Sequence, residues 1–187
     1  MQFYTFSCKN TDGSILSRSH AYMLYKKFNI TAIADIRRTR NRYPPRQEWS
    51  SYRLEKDCYT HGYTYIIAAA CVPHYRLFSM LRYGIPTDCP DHTQRRYYDN
   101  IAEAEICRNL AKCRRKGHPR RLMKPHEYAV QYRQRIKDNG GLNLAERLII
   151  QYAPLVFLDG EYAGHTETRC ILAEELTKRN HQVIHIN

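Results

Sequence analysis

The sequence lacks an apolar run of membrane-spanning length, and its first residues lack the charged and apolar regions of a signal peptide. We therefore expect no membrane partner and a soluble, cytoplasmic protein. Internal repeats and low-complexity tracts are absent as well. A hydrophobic content of 43% and an aromatic content of 12% exclude a disordered chain. With 187 residues, the chain is long enough for one domain with a proper core.

A regular set of cysteines is also missing. The seven cysteines are odd in number and irregularly spaced, so we interpret them as reduced thiols and not as a disulfide framework. Cys8 and Cys71 follow predicted strands, and either could act as a nucleophile. Packing as small hydrophobic side chains is nevertheless the usual role of such cysteines.

Zinc binding would need four nitrogen or sulfur ligands close together. A Cys-x-x-His pair followed by two further cysteines makes such a site chemically possible, with Cys89, His92, Cys107 and Cys113 as ligands. The spacing is irregular, however, and Cys107 and Cys113 would not share one face of a helix. We therefore predict no metal site and interpret these residues as free cysteines, with zinc as the alternative.

Acidic residues are few. There are 18 of them against 30 lysines and arginines, which gives a formal net charge of +12 and a pI of about 9.5. Residues 107–126 contain no acid and eight basic residues. Such an excess predicts attraction to nucleic acid or to another polyanion. Because arginine grips phosphate while tyrosine stacks on bases, the 16 tyrosines fit a nucleic-acid partner.

One stretch, from Ile30 to Arg46, concentrates these features. An apolar run rich in β-branched residues ends at Asp35, and five arginines follow within 37–46, four before Pro44-Pro45 and Arg46 directly after it. The run predicts a buried strand, and the segment after it is expected to open onto the ligand crevice of an α/β sheet. Guanidinium groups crowded in this way favour a phosphate partner. The alternative is a solvated basic loop held by surface carboxylates.

Strand and helix patterns alternate along the chain. They predict an α/β fold with a mainly parallel sheet of about five strands flanked by helices. We expect a single α/β domain over 1–187 that carries a basic, partly helical insertion at 84–124. The predicted strands are 2–7, 30–36, 63–68, 154–159 and 182–186, and the predicted helices are 15–28, 48–61, 73–83, 100–116, 125–137, 142–151 and 166–179.

Several short motifs occur in a recognisable order and spacing. They are Tyr4-Thr5-Phe6, Asp35-Ile36-Arg37 with the arginines through Arg46, Val72-Pro73 through Leu77, Asp159-Gly160-Glu161, Glu167-Thr168-Arg169 and His185-Ile186. In this the chain resembles domain of unknown function family 488, over roughly residues 2–83 and 150–187. The resemblance implies an α/β sheet with a pocket, and it carries over no activity.

The chain departs from that family at two cysteines. Asp159 and Glu167 stand where the family motif has cysteine, and Thr168 stands where it has histidine. If the family works by thiol chemistry, this chain cannot use these positions for it.

The resemblance and the strand predictions together place a candidate pocket at the carboxyl ends of two strands. Its residues would be Asp35, Arg37, Asp159, Glu161 and Arg169. Arginines suit a phosphate at a helix N-terminus, and carboxylates suit ribose hydroxyls, general base catalysis or a divalent cation. We expect at least one Arg–carboxylate contact between the 35–46 and 159–169 loops. The alternative is a buried ion-pair network, with Glu161 paired to Arg37, that only fixes the loops.

These observations predict a nucleic-acid-binding protein that is also an enzyme acting on a nucleotide or base. Two alternatives are a non-catalytic nucleic-acid or protein-interaction protein with a degenerate pocket, and a sensor of a nucleotide signal. The sequence identifies no cofactor and no oligomeric state, and it does not distinguish DNA from RNA. The predicted catalytic residues are Asp35, Asp159 and Glu161; the phosphate-binding residues are Arg37, Arg38, Arg40, Arg42, Arg114, Arg115, Arg120, Arg121 and Arg169; the stacking residues are Tyr43, Trp49, Tyr97 and Tyr98.

Overall fold

The computed structural model describes residues 1–8, 15–37, 49–73, 77, 85–86, 120–121, 123–160 and 168–186. The chain divides into two compact units. One unit contains Met1–Val72 and Arg133–Asn187, and the other contains Pro73–Tyr132.

The described residues contain seven strands and five α-helices. The strands are β1 (Gln2–Ser7), β2 (Ala32–Asp35), β3 (Thr64–Ile67), β4 (Ile85–Pro86), β5 (Arg120–Arg121), β6 (Leu155–Asp159) and β7 (Gln182–Ile186). The helices are α1 (Arg18–Lys27), α2 (Ser51–His61), α3 (Pro125–Asp138), α4 (Gly141–Tyr152) and α5 (Thr168–Thr177), with a 3-10 turn at Ala69–Cys71.

Five strands of the first unit form one sheet in the order β3-β2-β6-β1-β7, and every pairing in it is parallel. The predicted α/β fold with a parallel sheet of about five strands is therefore confirmed. β2 and β6 are buried along their whole length, and β1 is buried after its first residue. Burial on both faces explains the apolar runs of β2 and β6, whereas β1 has the alternating pattern from which it was predicted.

Side chains alternate between the two faces of the sheet. On one face Phe6, Ile33 and Leu158 belong to a core that also contains residues of α1 and α2. On the other face the rings of Phe3 and Phe157 meet edge to face at 5.7 Å, and α5 lies against β1, β6 and β7. Helices therefore cover both faces, as a parallel sheet requires.

The connections of β1 and β6 run in opposite directions across the sheet. The chain leaves β1 through α1 and passes β6 to reach β2, whereas it leaves β6 through α5 and passes β1 to reach β7. Such a topological switch point opens a crevice at the carboxyl ends of the strands. The ends of β1 and β6 adjoin there, because the Cys8 amide donates to the Asp159 carbonyl at 2.9 Å.

Between positions 73 and 124 little of the chain is described. The predicted helices at 73–83 and 100–116 lie outside the described residues, apart from Leu77, which is helical. Within the second unit β4 and β5 form a two-residue antiparallel pair, which the sequence did not predict. No helix in the described ranges is both long and apolar enough to cross a membrane.

Candidate functional site

Asp35 and Arg37 form a buried ion pair at the end of β2. Asp35 Oδ1 accepts hydrogen bonds from the Arg37 amide and Nε, both at 2.9 Å, and Oδ2 accepts one from Nη2 at 2.7 Å. The Tyr65 hydroxyl donates to the same Oδ2 at 2.6 Å. Both charged side chains are 0% exposed. Each carboxylate oxygen therefore has two donors, and the two side chains make the bidentate geometry of a strong charge-assisted contact.

The guanidinium of Arg37 also contacts Trp49, which lies two residues before the start of α2. Nη1 donates to the Trp49 carbonyl at 2.6 Å, and Cζ lies 6.0 Å from the centre of the indole. Burial alone would lower the pKa of Arg37, but the ion pair and hydrogen bonds with Asp35 raise this pKa above its ordinary value. Arg37 thus stays charged and ties both ends of segment 38–48 to the core.

These contacts correct two predicted roles. Arg37 was expected to bind phosphate, but its side chain is enclosed by Asp35 and Trp49. Trp49 was expected to stack on bases, but it is only 3% exposed and its ring packs against Phe6 at 5.9 Å. The indole Nε1 donates to the Leu16 carbonyl at 2.6 Å. Trp49 belongs to the core because burying a large aromatic ring contributes strongly to stability. Arg37 is buried because Asp35 and the Trp49 carbonyl accept its hydrogen bonds.

Asp159 caps the following helix. Oδ1 accepts from the Gly160 amide at 2.7 Å, and Oδ2 accepts from the Arg169 amide in the first turn of α5 at 3.1 Å. Asp159 and Arg169 are both buried. A helix N-terminus favours an anion, so the chain's own carboxylate binds at the place where we expected a phosphate. These contacts give the acid at position 159 a structural role as a helix cap.

The two carboxylates point to opposite faces of the sheet. Asp35 lies in register with Leu158, which belongs to the α1–α2 core, and the neighbouring Asp159 therefore faces the other side. Its contact with the start of α5 agrees with this placement. The predicted convergence of Asp35 and Asp159 in one crevice is therefore wrong.

The two loops meet at Gly160, and they do so through packing. A Cβ placed on Gly160 would lie 2.9 Å from Arg37 Cδ, 3.0 Å from its Cγ and 3.2 Å from Cys8 Sγ. The aliphatic stem of Arg37 thus lies on the Gly160 backbone, while its guanidinium pairs with Asp35 of its own loop. Among the described residues the carboxylate paired with Arg37 is that of Asp35. Glu161 and Glu167 lie outside the described residues, so the Arg–carboxylate bridge between the loops stays a prediction.

In the second unit, the structure describes the side chain of one predicted nucleic-acid contact, Arg121. Its Nη1 donates to both carboxylate oxygens of Glu127, at 2.8 and 2.7 Å, and its side chain is half exposed. Hydrogen bonds from Arg121 and from the Lys124 amide lower the pKa of Glu127. Arg120 lies in β5. The remaining predicted residues outside the described parts are Arg38, Arg40, Arg42, Tyr43, Tyr97, Tyr98, Arg114, Arg115 and Glu161.

The described cysteines are thiols that lie mostly in the interior. Cys8, Cys58 and Cys71 are buried and Cys170 is partly buried. Burial raises the pKa of both Cys58 and Cys71 to about 12. Because the thiolate is the nucleophile, burial disfavours the nucleophilic role considered for Cys71. Within the described ranges no His, Cys, Asp and Glu side chains group as metal ligands, and Cys89, His92, Cys107 and Cys113 lie outside those ranges.

Sequence reasoning missed two exposed tyrosines. Tyr52 and Tyr59 stand on the outer face of α2 with 68% and 90% of their surface exposed. The signal was available, because helix periodicity within the predicted helix 48–61 places both opposite the apolar Leu54 and Cys58.

Together the fold and these contacts define a class: a parallel α/β protein with buried, hydrogen-bonded acids at the carboxyl ends of two strands. Searches against protein-family models, curated proteins and solved structures give no match for this chain. The resemblance to domain of unknown function family 488 therefore stays a prediction.

Proposed function

We propose that this protein binds nucleic acid through two basic segments, residues 37–46 and 107–126, and that the α/β sheet is the scaffold for this binding. One observation carries the proposal. The two basic segments hold 13 of the 30 lysines and arginines and none of the 18 acids. The other 157 residues hold 17 basic and 18 acidic side chains and are close to neutral. The net positive charge of the chain therefore comes entirely from these two segments.

Segregated charge of this kind favours a polyanionic partner. Like charges crowded together repel each other, and phosphates relieve that repulsion while released counterions supply binding free energy. Nine of the 13 basic residues are arginines other than Arg37, and the arginine fork matches phosphate geometry better than lysine does. A basic surface kept only for solubility would not need such segregation.

The buried ion pair gives the first segment an anchored base. Arg37 connects Asp35 at the end of β2 with Trp49 just before α2. The Arg37 side chain is thus held by the core and is not itself a ligand, and we assign the phosphate contacts of this segment to the arginines at 38, 40, 42 and 46. The core thus fixes the chain at Arg37 and at Trp49. This supports a binding role for the segment between them.

The described contacts favour binding over the nucleotide-directed enzyme. A general base must come within hydrogen-bond reach of its substrate. Asp35 is enclosed and accepts from Arg37 and Tyr65, and Asp159 is buried at the start of α5. Because the two acids also lie on opposite faces of the sheet, they do not form a paired catalytic site.

Fluorescence anisotropy with labelled single-stranded and duplex oligonucleotides tests the proposal. Binding of the full chain should weaken steeply between about 50 and 200 mM salt. The variant R40Q/R42Q should lower the slope of log K against log salt by about 1.4 on single strands, because each lost phosphate contact removes about 0.7. The matched control K26Q/K27Q removes two exposed charges from the end of α1 and should leave the slope unchanged.

A parallel variant, R114Q/R115Q, tests the second segment in the same assay and should give a similar loss of slope. Absence of binding at low salt would remove the proposal. Equal slopes for the segment variants and the control would show that binding is not located in the basic segments.

A further inference from the structure

The outer face of α2 presents two aromatic rings to solvent. The helix packs on the core through Leu54 and Cys58, and Tyr52 and Tyr59 lie opposite, 68% and 90% exposed. Among the large hydrophobic side chains that the structure describes as exposed, Tyr59 is the most exposed. A buried ring would contribute to stability, so two rings left outside on one face indicate a use other than folding.

Helix geometry aligns these rings with a cation between them. Tyr52, Lys56 and Tyr59 stand at positions i, i+4 and i+7, which share one helix face. Seven residues of α-helix rise about 10.5 Å. Bases stacked along one strand are about 3.4 Å apart, so the two rings have room for a short run of stacked bases between them. Lys56 lies where a backbone phosphate of that run would pass.

The composition of this face does not fit an apolar protein interface. Its exposed positions are all polar, charged or aromatic and include no aliphatic residue: Tyr52, Glu55, Lys56, Tyr59 and Thr60. Glu55 is the acid on this face, and the first turn of the helix contains none. At its far end, the His61 ring lies 5.1 Å from Tyr22, which stacks on Tyr63 at an interplanar angle of 9°.

The positive charge of the residues that precede α2 also fits a nucleic-acid partner. α2 begins five positions after Arg46, the last arginine of the first basic segment. Its N-terminus, capped by the Ser50 side chain, adds the positive end of the helix dipole. Aromatic side chains next to positive charge are the combination that binds single-stranded nucleic acid, since the rings take the bases and the cations take the phosphates.

We infer that the stripe formed by Tyr52, Lys56 and Tyr59 is a base-stacking surface for single-stranded nucleic acid. The inference rests on the proposed function and deepens it. The basic segments bind phosphates of any strand, whereas this stripe requires unpaired bases. It therefore makes the protein prefer single strands over duplexes.

The test uses the full chain, a labelled oligothymidine and an abasic oligonucleotide of the same length. The abasic probe keeps every phosphate and lacks the rings. Tyr59→Leu should weaken oligothymidine binding on the order of 5- to 150-fold, the range for one lost stacking partner, and should leave abasic binding unchanged. Tyr59→Phe should bind like the wild type because stacking needs the ring and not the hydroxyl. Ile150→Ala, at a 58% exposed position of α4, is the matched control.

Each outcome decides one question. Wild-type affinity in Tyr59→Leu, with oligothymidine still bound, would overturn the stacking surface while leaving the proposed function intact, and would be the result expected of an apolar protein-docking face. Equal weakening on both probes would also overturn it, because the loss would not involve bases. Failure of the wild type to bind either probe would instead remove the proposed function itself.

Discussion

Replacing Asp35 by alanine should destabilise the protein by about 3 to 5 kcal/mol, because a buried arginine would lose its counter-charge. The structure sets this magnitude. Both side chains are 0% exposed, and Asp35 accepts three hydrogen bonds from Arg37 and one from Tyr65. An exposed pair would contribute less than about 1 kcal/mol. The Tyr65 hydroxyl would also lose its acceptor, which adds to the cost.

The opposite variant, Arg37→Met, should depend on pH in a way that Asp35→Ala does not. A buried carboxylate without its partner can take up a proton, whereas a guanidinium cannot release one. The folded variant then binds more protons than its unfolded chain, so its stability falls as pH rises. Relative to the wild type, its deficit should shrink as pH falls from about 7 toward 4, by up to about 1.4 kcal/mol per pH unit.

Urea unfolding at several pH values measures both effects, and Trp49, the single tryptophan, reports on the same core. The double variant D35A/R37M should recover part of the loss, since no buried charge remains. Deficits below about 1 kcal/mol in both single variants would refute the buried pair. A pH-dependent deficit in Asp35→Ala would refute the argument about which partner can neutralise itself.

Three further predictions concern the packing around the sheet. Asp159→Ala should cost about 0.5 to 2 kcal/mol in urea unfolding by removing the cap of α5, and an unchanged midpoint would contradict the cap. Gly160→Ala should destabilise the protein by about 1 to 3 kcal/mol and lower its melting temperature, because the new Cβ would lie 2.9 Å from Arg37 Cδ. An unchanged melting temperature would show that Arg37 can move away at no cost. Burial alone would raise the pKa of Glu175, but contacts with Lys178 and Lys137 lower it below the ordinary value. Its stabilisation is therefore present above pH about 4.3 and lost as pH falls further, and Glu175→Gln should flatten the acid side of the stability profile.

The fold could be predicted from the sequence because its central strands carry strong local signals. β2 and β6 are apolar runs and β1 has the alternation of a strand. The observed bounds of all three fall within two residues of the predicted ones. The order of the strands has no such signal. It depends on which way each crossover passes over the sheet, and the chain must close long connections before those pairings form.

The position of the candidate site could be predicted, but the direction in which its acids face could not. Strand ends correctly placed Asp35 and Asp159 at the carboxyl edge, but one residue of register puts them on opposite faces. Charge alone cannot show whether an arginine faces solvent or a buried acid. Arg37 and Asp35 are two residues apart and form an ion pair in which both side chains are buried. Arg37 was predicted to bind phosphate, but its contacts hold the chain to the core instead.

Arginine footprinting of the full chain tests the central claim most directly. Phenylglyoxal labelling is read residue by residue by mass spectrometry, with and without an oligonucleotide at low salt. The account predicts that Arg40, Arg42, Arg114 and Arg115 are labelled in the free protein and protected in the complex. Arg147, exposed on α4 outside the basic segments, should be labelled equally in both states, and the buried Arg37 should stay unlabelled in both. Labelling of the basic segments that is unchanged by nucleic acid, or an Arg37 that reacts freely and is then protected, would contradict it.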